Sequence, residues 1–315
     1  MEKMLKNNSG IVLVFVLAIT LAMSAMVLFF QHRSKVYIDT LARVSISTQM
    51  DYFAEMGIEI GKEIIRLQEE QEKSSFSVDR NWPKEKNYEL KGMCLNVKIE
   101  DENAKINPNS IFGTEKGEIN STLQDIFNTF FTVTGYSVVL RDSLLDWIDE
   151  DDIPRDNGAE SFYYRTEGFS YTPSNRCLYT PEEILLIRDV SEDSVFDSEV
   201  KAEEKKKTII NFMTVVSDGK INVNRCAPEI LRAIGFTSAN VEKILSERET
   251  RPLDEKIIMN INKEVYIKNK SAISFKSNYY CVSSNVSDNQ GFEKTMKVYL
   301  YRDDKKINIL RWTII

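Results

Sequence analysis

The chain has 315 residues, 42% apolar and 28% charged, with a formal net charge of −7. This is globular composition with room for one large or two modest domains, and the negative balance argues against nucleic acid as the main partner. One histidine, His32, lies at the foot of an apolar segment, which removes His-dependent catalytic triads and weakens any histidine-rich zinc site. Cys94, Cys177, Cys226 and Cys281 form no C-x-x-C, so zinc-ribbon and thioredoxin motifs are absent. Their plain reading is small buried apolar residues, with a disulfide open if the body is extracytoplasmic.

In chain order, the first element is GIVLVFVLAITLAMSAMVLFF, Gly10 to Phe30, without a charge. About 20 such residues cross a bilayer as a helix. A cleaved secretory signal is the rival, but its apolar region is shorter, roughly 7–15 residues with a small-residue exit. Lys3 and Lys6 before the run nearly balance Arg33 and Lys35 after it, so flanking charge barely sets orientation. Apolar residues then recur at three- and four-residue spacing, among them Leu41, Val44, Met50, Phe53, Ile60 and Ile64. That is an amphipathic pattern, and without a proline to divide it from the span it predicts one helix over 11–73.

Alternation of Leu90, Met93, Leu95, Val97 and Ile99 predicts a strand over 88–102 with an irregularity at Gly92. Three Tyr-, Val- and Ile-rich runs from Ser271 to the end predict antiparallel strands. Between them, STLQDIFNTFFTVTGY, VVLRDSLLDWIDE, TPEEILLIRDV, APEILRAIGF and SANVEKILSERE predict helices, two with proline at the start. The charged SEDSVFDSEVKAEEKKK reads as a solvated connector. KINPN at Lys105 returns as KINVN at Lys220, and asparagines so placed are expected to make turns and cap the next helix.

The segment DWIDEDDIPRDNGAESFYY holds seven carboxylates between Asp146 and Glu160, with one base, Arg155. General acid–base catalysis needs two carboxyls held apart with one pKa raised, which the adjacent Asp151 and Asp152 on a loop do not supply; catalysis is not expected. An EF-hand fails in detail, because counting from Asp149 puts Ile153 and Pro154 where an oxygen ligand and a glycine belong. A solvated loop and a nonstandard cation site both remain open. KINVNRCAPEILRAIGFTSANVEKILSERETRP resembles a helix-hairpin-helix unit, with Leu231 and Ile234 facing Val241, Ile244 and Leu245 across Gly235. Its turn has one glycine where DNA-binding hairpins usually have two. A membrane-anchored nucleic-acid-binding module is the alternative function.

The leader MEKMLKNNSG, the apolar helix, KINPN, DWIDEDD with Gly158-Ala159-Glu160, TPEEILLI and KINVN…APEILRAIGF occur in that order. Together they resemble protein K of type II secretion, a minor pseudopilin. The resemblance implies an α+β fold: a pilin-like long helix, transmembrane at its start, on an antiparallel sheet, with a large SAM- or helix-hairpin-helix-like helical insertion. It divides the chain into a leader, 1–10, a transmembrane helix, 11–32, a helix and sheet domain, 33–105 with 265–315, and an inserted domain, 106–264. It implies cleavage by prepilin peptidase between Gly10 and Ile11, and Phe15 stands where most relatives carry a glutamate. It further implies a single-pass inner-membrane protein with a periplasmic body at a filament tip, partnered by minor pseudopilins of types I and J and by the inner-membrane platform. Members of the family hold calcium in the insertion, so Ca²⁺ is expected on Asp149, Asp151, Asp152 and Glu160, with carbonyls near Asn157 and Gly158, and with Trp147 anchoring the loop.

Overall fold

The computed structural model describes residues 9–74, 84–113, 118–188, 190, 208–303 and 306–314. Helix α1, Ser9–Ser74, is unbroken over 66 residues. The apolar span from Ile11 to Phe30 is exposed along its whole length. Further on, Met50, Ala54, Ile58 and Ile65 form one buried stripe, the three- and four-residue spacing that keeps side chains on one helix face. Gly57 and Gly61 share that stripe. A Cβ at Gly57 runs into Ser284 and Leu95, and one at Gly61 runs into Val282. The helix backbone itself therefore rests on the sheet.

Among the described residues the sheet has five strands in the order β1-β2-β5-β6-β7. They are β1 Lys84–Leu90, β2 Met93–Asp101, β5 Tyr279–Asp288, β6 Glu293–Asp303 and β7 Lys306–Ile314, paired antiparallel throughout. Alternation sends Leu95, Val97, Ile99, Val282, Val286, Val298 and Leu300 into a core with α1. The stretch expected as one irregular strand is instead a hairpin. Leu90 pairs with Met93, and Lys91 and Gly92 between them both have positive φ, 51° and 78°, the two-residue turn whose twist matches that of the strands.

The chain leaves the sheet after Asp101 and returns at Tyr279, and a second, separate core fills the interval. Its helices are α2 Ser121–Thr134, α3 Val138–Ile148, α4 Ser161–Thr166, α5 Pro228–Ile234, α6 Ser238–Thr250 and α7 Glu255–Asn269. A short parallel pair, β3 Ile221–Asn222 with β4 Ile273–Ser274, closes it. The insertion thus extends beyond residue 264, because Tyr266, Ala272 and Ile273 belong to its core. Helix α7 was not expected; Asn262, at φ −157° and ψ 99°, breaks its pattern midway. The TPEEILLI helix is only a 3₁₀ turn, Pro181–Leu186. Its chain extends at Ile187 so that Ile184 and Ile187 both enter the core, a three-residue period. The charged connector lies outside the described residues. The hairpin α5–α6 forms as expected, with Gly235 left-handed at φ 111° and Leu231, Ile234, Val241 and Ile244 buried.

The repeated KIN segments have matching roles. Asn107 and Asn222 each accept from the amide two residues on, at 3.1 and 2.9 Å. The second asparagines clamp distant loops: Asn109 bonds both the N–H and the C=O of Leu178, and Asn224 bonds both those of Leu253 and also the C=O of Phe275. The expected cap holds for Asn107, before the turn Pro108–Ile111, but not for KINVN, since α5 is preceded by Ala227 without a side-chain cap.

All four cysteines are free, Cys94 and Cys177 exposed, Cys226 and Cys281 buried. The close seat of α1 on the sheet makes Gly61→Leu destabilising by about 1–3 kcal/mol despite leucine's better helix propensity. Denaturant unfolding of the detergent-solubilised chain measures it.

Candidate metal centre

Three carboxylates converge where α3 ends and α4 begins. Asp146 lies in the last turn of α3, Asp149 is its C-cap and Glu160 precedes α4. Their side chains are 0%, 8% and 2% exposed as residues, and one oxygen from each lies within 4.8 Å of the others. The loop between them is shaped to allow this. Gly158 N donates to Arg155 O at 2.9 Å, and a Cβ at Gly158 would occupy the Asp146 carboxylate. Below, Trp147 is buried against Tyr164 and Tyr171, ring centroids 5.7 and 6.1 Å apart, and holds the loop to the insertion's core as expected.

One cation serves this group among the described residues. Arg155 Nη1 reaches Asp146 Oδ1 at 2.6 Å and Asp149 Oδ2 at 2.5 Å, and its backbone N–H also points at Asp146. Asp149 Oδ1 and both oxygens of Glu160 are buried and meet no hydrogen-bond donor. A buried carboxylate without donors is strongly disfavoured in its charged form. Burial, and then the neighbouring charges of Asp146, Asp149, Asp152 and Asp151, push Glu160 up to about 8. Burial also raises Asp146 and Asp149, against the pull of Arg155.

Of the residues expected in the site, the fold brings together Asp149 and Glu160. Asp151 and Asp152 are exposed: Asp151 accepts from Ile153 N at 2.9 Å, and Asp152 accepts from Ser161 N at 3.2 Å and lies against the Glu160 carboxyl at the rim of the group. The Gly158 carbonyl, expected in the shell, accepts from Arg188 Nη1 at 3.1 Å, and Asn157 donates to Asp142 at 3.0 Å. Asp146 was missed. The signal for it was its position three residues before Asp149 at a helix end, which puts both acids on one face. The set, all oxygen donors with three orphaned oxygens, fits a hard divalent cation such as Ca²⁺ or Mg²⁺. Asp146, Asp149 and Glu160 are the residues to hold it. Gly10, Ile11 and Phe15 lie on the exposed apolar start of α1, and nothing stands within 4 Å of a Cβ placed at Gly10.

Residues 104–196, which contain α2, α3, the acidic loop and α4, match the family described as Type II secretion system (T2SS), protein K. The match covers the first part of the insertion, 93 of the chain's 315 residues. A solved chain from the GspK-GspI-GspJ complex of the enterotoxigenic Escherichia coli type 2 secretion system shares its fold, with a TM-score of 0.59 and 16% identity over 85% of this chain and 98% of that one. No curated protein matches. The family match agrees with the protein K resemblance read from the sequence, and the solved chain shows the same fold. The acidic centre lies inside the matched segment.

The raised carboxyl of Glu160 has a definite sign in stability. Between its ordinary 4.5 and about 8 the folded chain binds more protons than the unfolded one, so stability falls as pH rises. Asp101, raised to about 6, acts the same way at lower pH. The window from pH 6 to 8 therefore belongs to Glu160. Chelator-treated protein should lose stability there at up to about 1.4 kcal/mol per pH unit, read by thermal melting in detergent. Glu160→Gln should remove most of the loss, as should saturating Ca²⁺, which keeps the carboxylate ionised.

Proposed function

We propose that the chain is a minor pseudopilin of type II secretion, in the protein K position, and that it caps the tip of a periplasmic filament that supports protein export across the outer membrane. The observation that carries this is a segment matching the protein K family, inserted between β2 and β5 of an antiparallel sheet that carries a long helix with an apolar start. In this reading Ile11–His32 spans the inner membrane, the body stands in the periplasm, and the role is assembly rather than catalysis. Partners are minor pseudopilins of types I and J, as in the complex that holds the solved relative, together with the inner-membrane platform and prepilin peptidase. Ca²⁺ on Asp146, Asp149 and Glu160 fastens the acidic loop in a structural role.

Tip position follows from two features. A glutamate at the fifth mature position would need a cationic partner within lipid, since an unpaired carboxylate there is costly; Phe15 has no such need, so no subunit has to sit above this one. The insertion adds bulk that obstructs further addition. The nucleic-acid reading lacks comparable support: the α5–α6 turn keeps one glycine, and the Asn240 amide at the start of α6 is already taken by Thr237 Oγ1.

Processing and position give separate tests. N-terminal sequencing of the membrane-extracted protein should begin at Ile11, and a bulky residue in place of Gly10 should abolish cleavage; a start near Met26 indicates an ordinary signal peptidase and ends the pilin reading. Immunogold against the body should label filament ends. Label distributed along the sides contradicts the cap.

A further inference from the structure

The acidic centre has a cation of its own, and that cation divides the oxygens of the group. Arg155 Nη1 takes Asp146 Oδ1 at 2.6 Å and Asp149 Oδ2 at 2.5 Å. Its backbone is pinned on both sides, since its N–H donates to Asp146 and its carbonyl accepts from Gly158. Asp149 Oδ1 and both oxygens of Glu160 are left without a donor. Asp149 therefore gives one oxygen to the arginine and keeps one for the side where Glu160 lies. Two other arginines of this region are engaged elsewhere: Arg188 donates to the Gly158 carbonyl and lies over Tyr163, and Arg141 pairs with Asp142.

Charge decides what the donor-free side accepts. Three ionised carboxylates, all buried, against one guanidinium leave two negative charges. Asp151 and Asp152 are exposed, and water and salt screen their charge. A monovalent ion would leave one buried charge uncompensated, and a trivalent ion would add one. A divalent ion balances the group, provided that Arg155 stays. If the ion expelled the side chain, Asp146 and Asp149 would lose the guanidinium and one negative charge would remain unpaired in a buried site, a costly state. The oxygens without a donor are not those that Arg155 holds, so the geometry does not require that exchange.

We propose that Arg155 is a permanent part of the cation centre: it stays on Asp146 and Asp149 while a divalent ion binds beside it, with Asp149 shared between the two, and its charge shifts the preference of the centre toward divalent and away from trivalent ions. Arg155 is thus a positioning and specificity-determining residue, not a plug that the ion displaces. The inference rests on the reading of this group as a cation site. It deepens that reading by assigning the residue that selects the charge of the ion.

The full chain, chelator-treated in detergent, is titrated with Tb³⁺ by luminescence and then with competing Ca²⁺, counting only the signal that Glu160→Gln removes. Arg155→Gln should raise the ratio of Tb³⁺ to Ca²⁺ affinity at least about tenfold, because the charge it deletes repels a trivalent ion more than a divalent one. A displaced plug is absent from both bound states, and a merely structural arginine treats both ions alike, so an unchanged ratio overturns the proposal. A second readout uses the unaltered chain and decides the matter where Arg155→Gln binds neither ion. Under saturating Ca²⁺ the guanidinium should react with phenylglyoxal no faster than in chelator-treated protein, measured by mass spectrometry of the Arg155 peptide; faster labelling overturns the proposal. If the unaltered chain gives no signal that Glu160→Gln removes, with either ion, the cation reading itself falls and this inference with it.

Discussion

One asparagine fastens the two halves of the molecule. Asn103 is buried where the chain leaves the sheet. Its amide donates to Asp218 and to the carbonyl of Lys220, and its oxygen accepts from the backbone of Asn278 and Tyr279, where the chain comes back. Three segments far apart in sequence meet on one side chain. Around it Ser277 Oγ donates to Asp101 and accepts from Asn222, Arg225 approaches Asp101 at 3.4 Å, and Arg302 donates to Ser277 O. The two apolar cores do not merge across this boundary; a polar seam joins them. Apolar contacts are tolerant of direction, whereas buried hydrogen bonds are not. The seam therefore fixes the orientation of the insertion on the sheet, and with it where the acidic loop stands.

The acidic centre follows the opposite logic. The seam satisfies most of its buried polar atoms internally, while Glu160 has two oxygens with no donor among the described residues. A fold keeps such a group either neutral or with a cation. Arg155 compensates Asp146 and Asp149, and leaves Glu160 as the group whose state depends on what the solvent supplies.

The parts legible in the sequence were those governed by local pattern. The apolar run and stripe of α1 predicted both of its ends within two residues, because no proline interrupts it. The three C-terminal strands followed from alternation. What stayed hidden depended on backbone state or on distant contacts. Nothing in a lysine before Gly92 announces that both take positive φ and turn the chain, and Asn262 conceals α7 by splitting its period. In the acidic segment, Asp149 and Glu160 were two of four acids expected to converge, with Asp151 and Asp152, which are exposed, whereas Asp146 looked like part of a helix. Its three-residue spacing from Asp149 puts the two on one helix face, but only the fold shows that this face is buried. The second asparagine of each KIN repeat was likewise misjudged, since its partners lie 29 to 106 residues away.

The unbroken run of α1 also has a mechanical side. At about 1.5 Å per residue, its 66 residues make a strut of roughly 100 Å. The far part is set into the sheet through Gly57 and Gly61, whose backbone meets the side chains of Leu95, Ser284 and Val282 directly, so it cannot slide without clashing. The near part has no tertiary contact in the span. A displacement applied at the membrane end, by lateral or axial force, is therefore delivered to the sheet without a hinge to absorb it, and through the seam to the insertion.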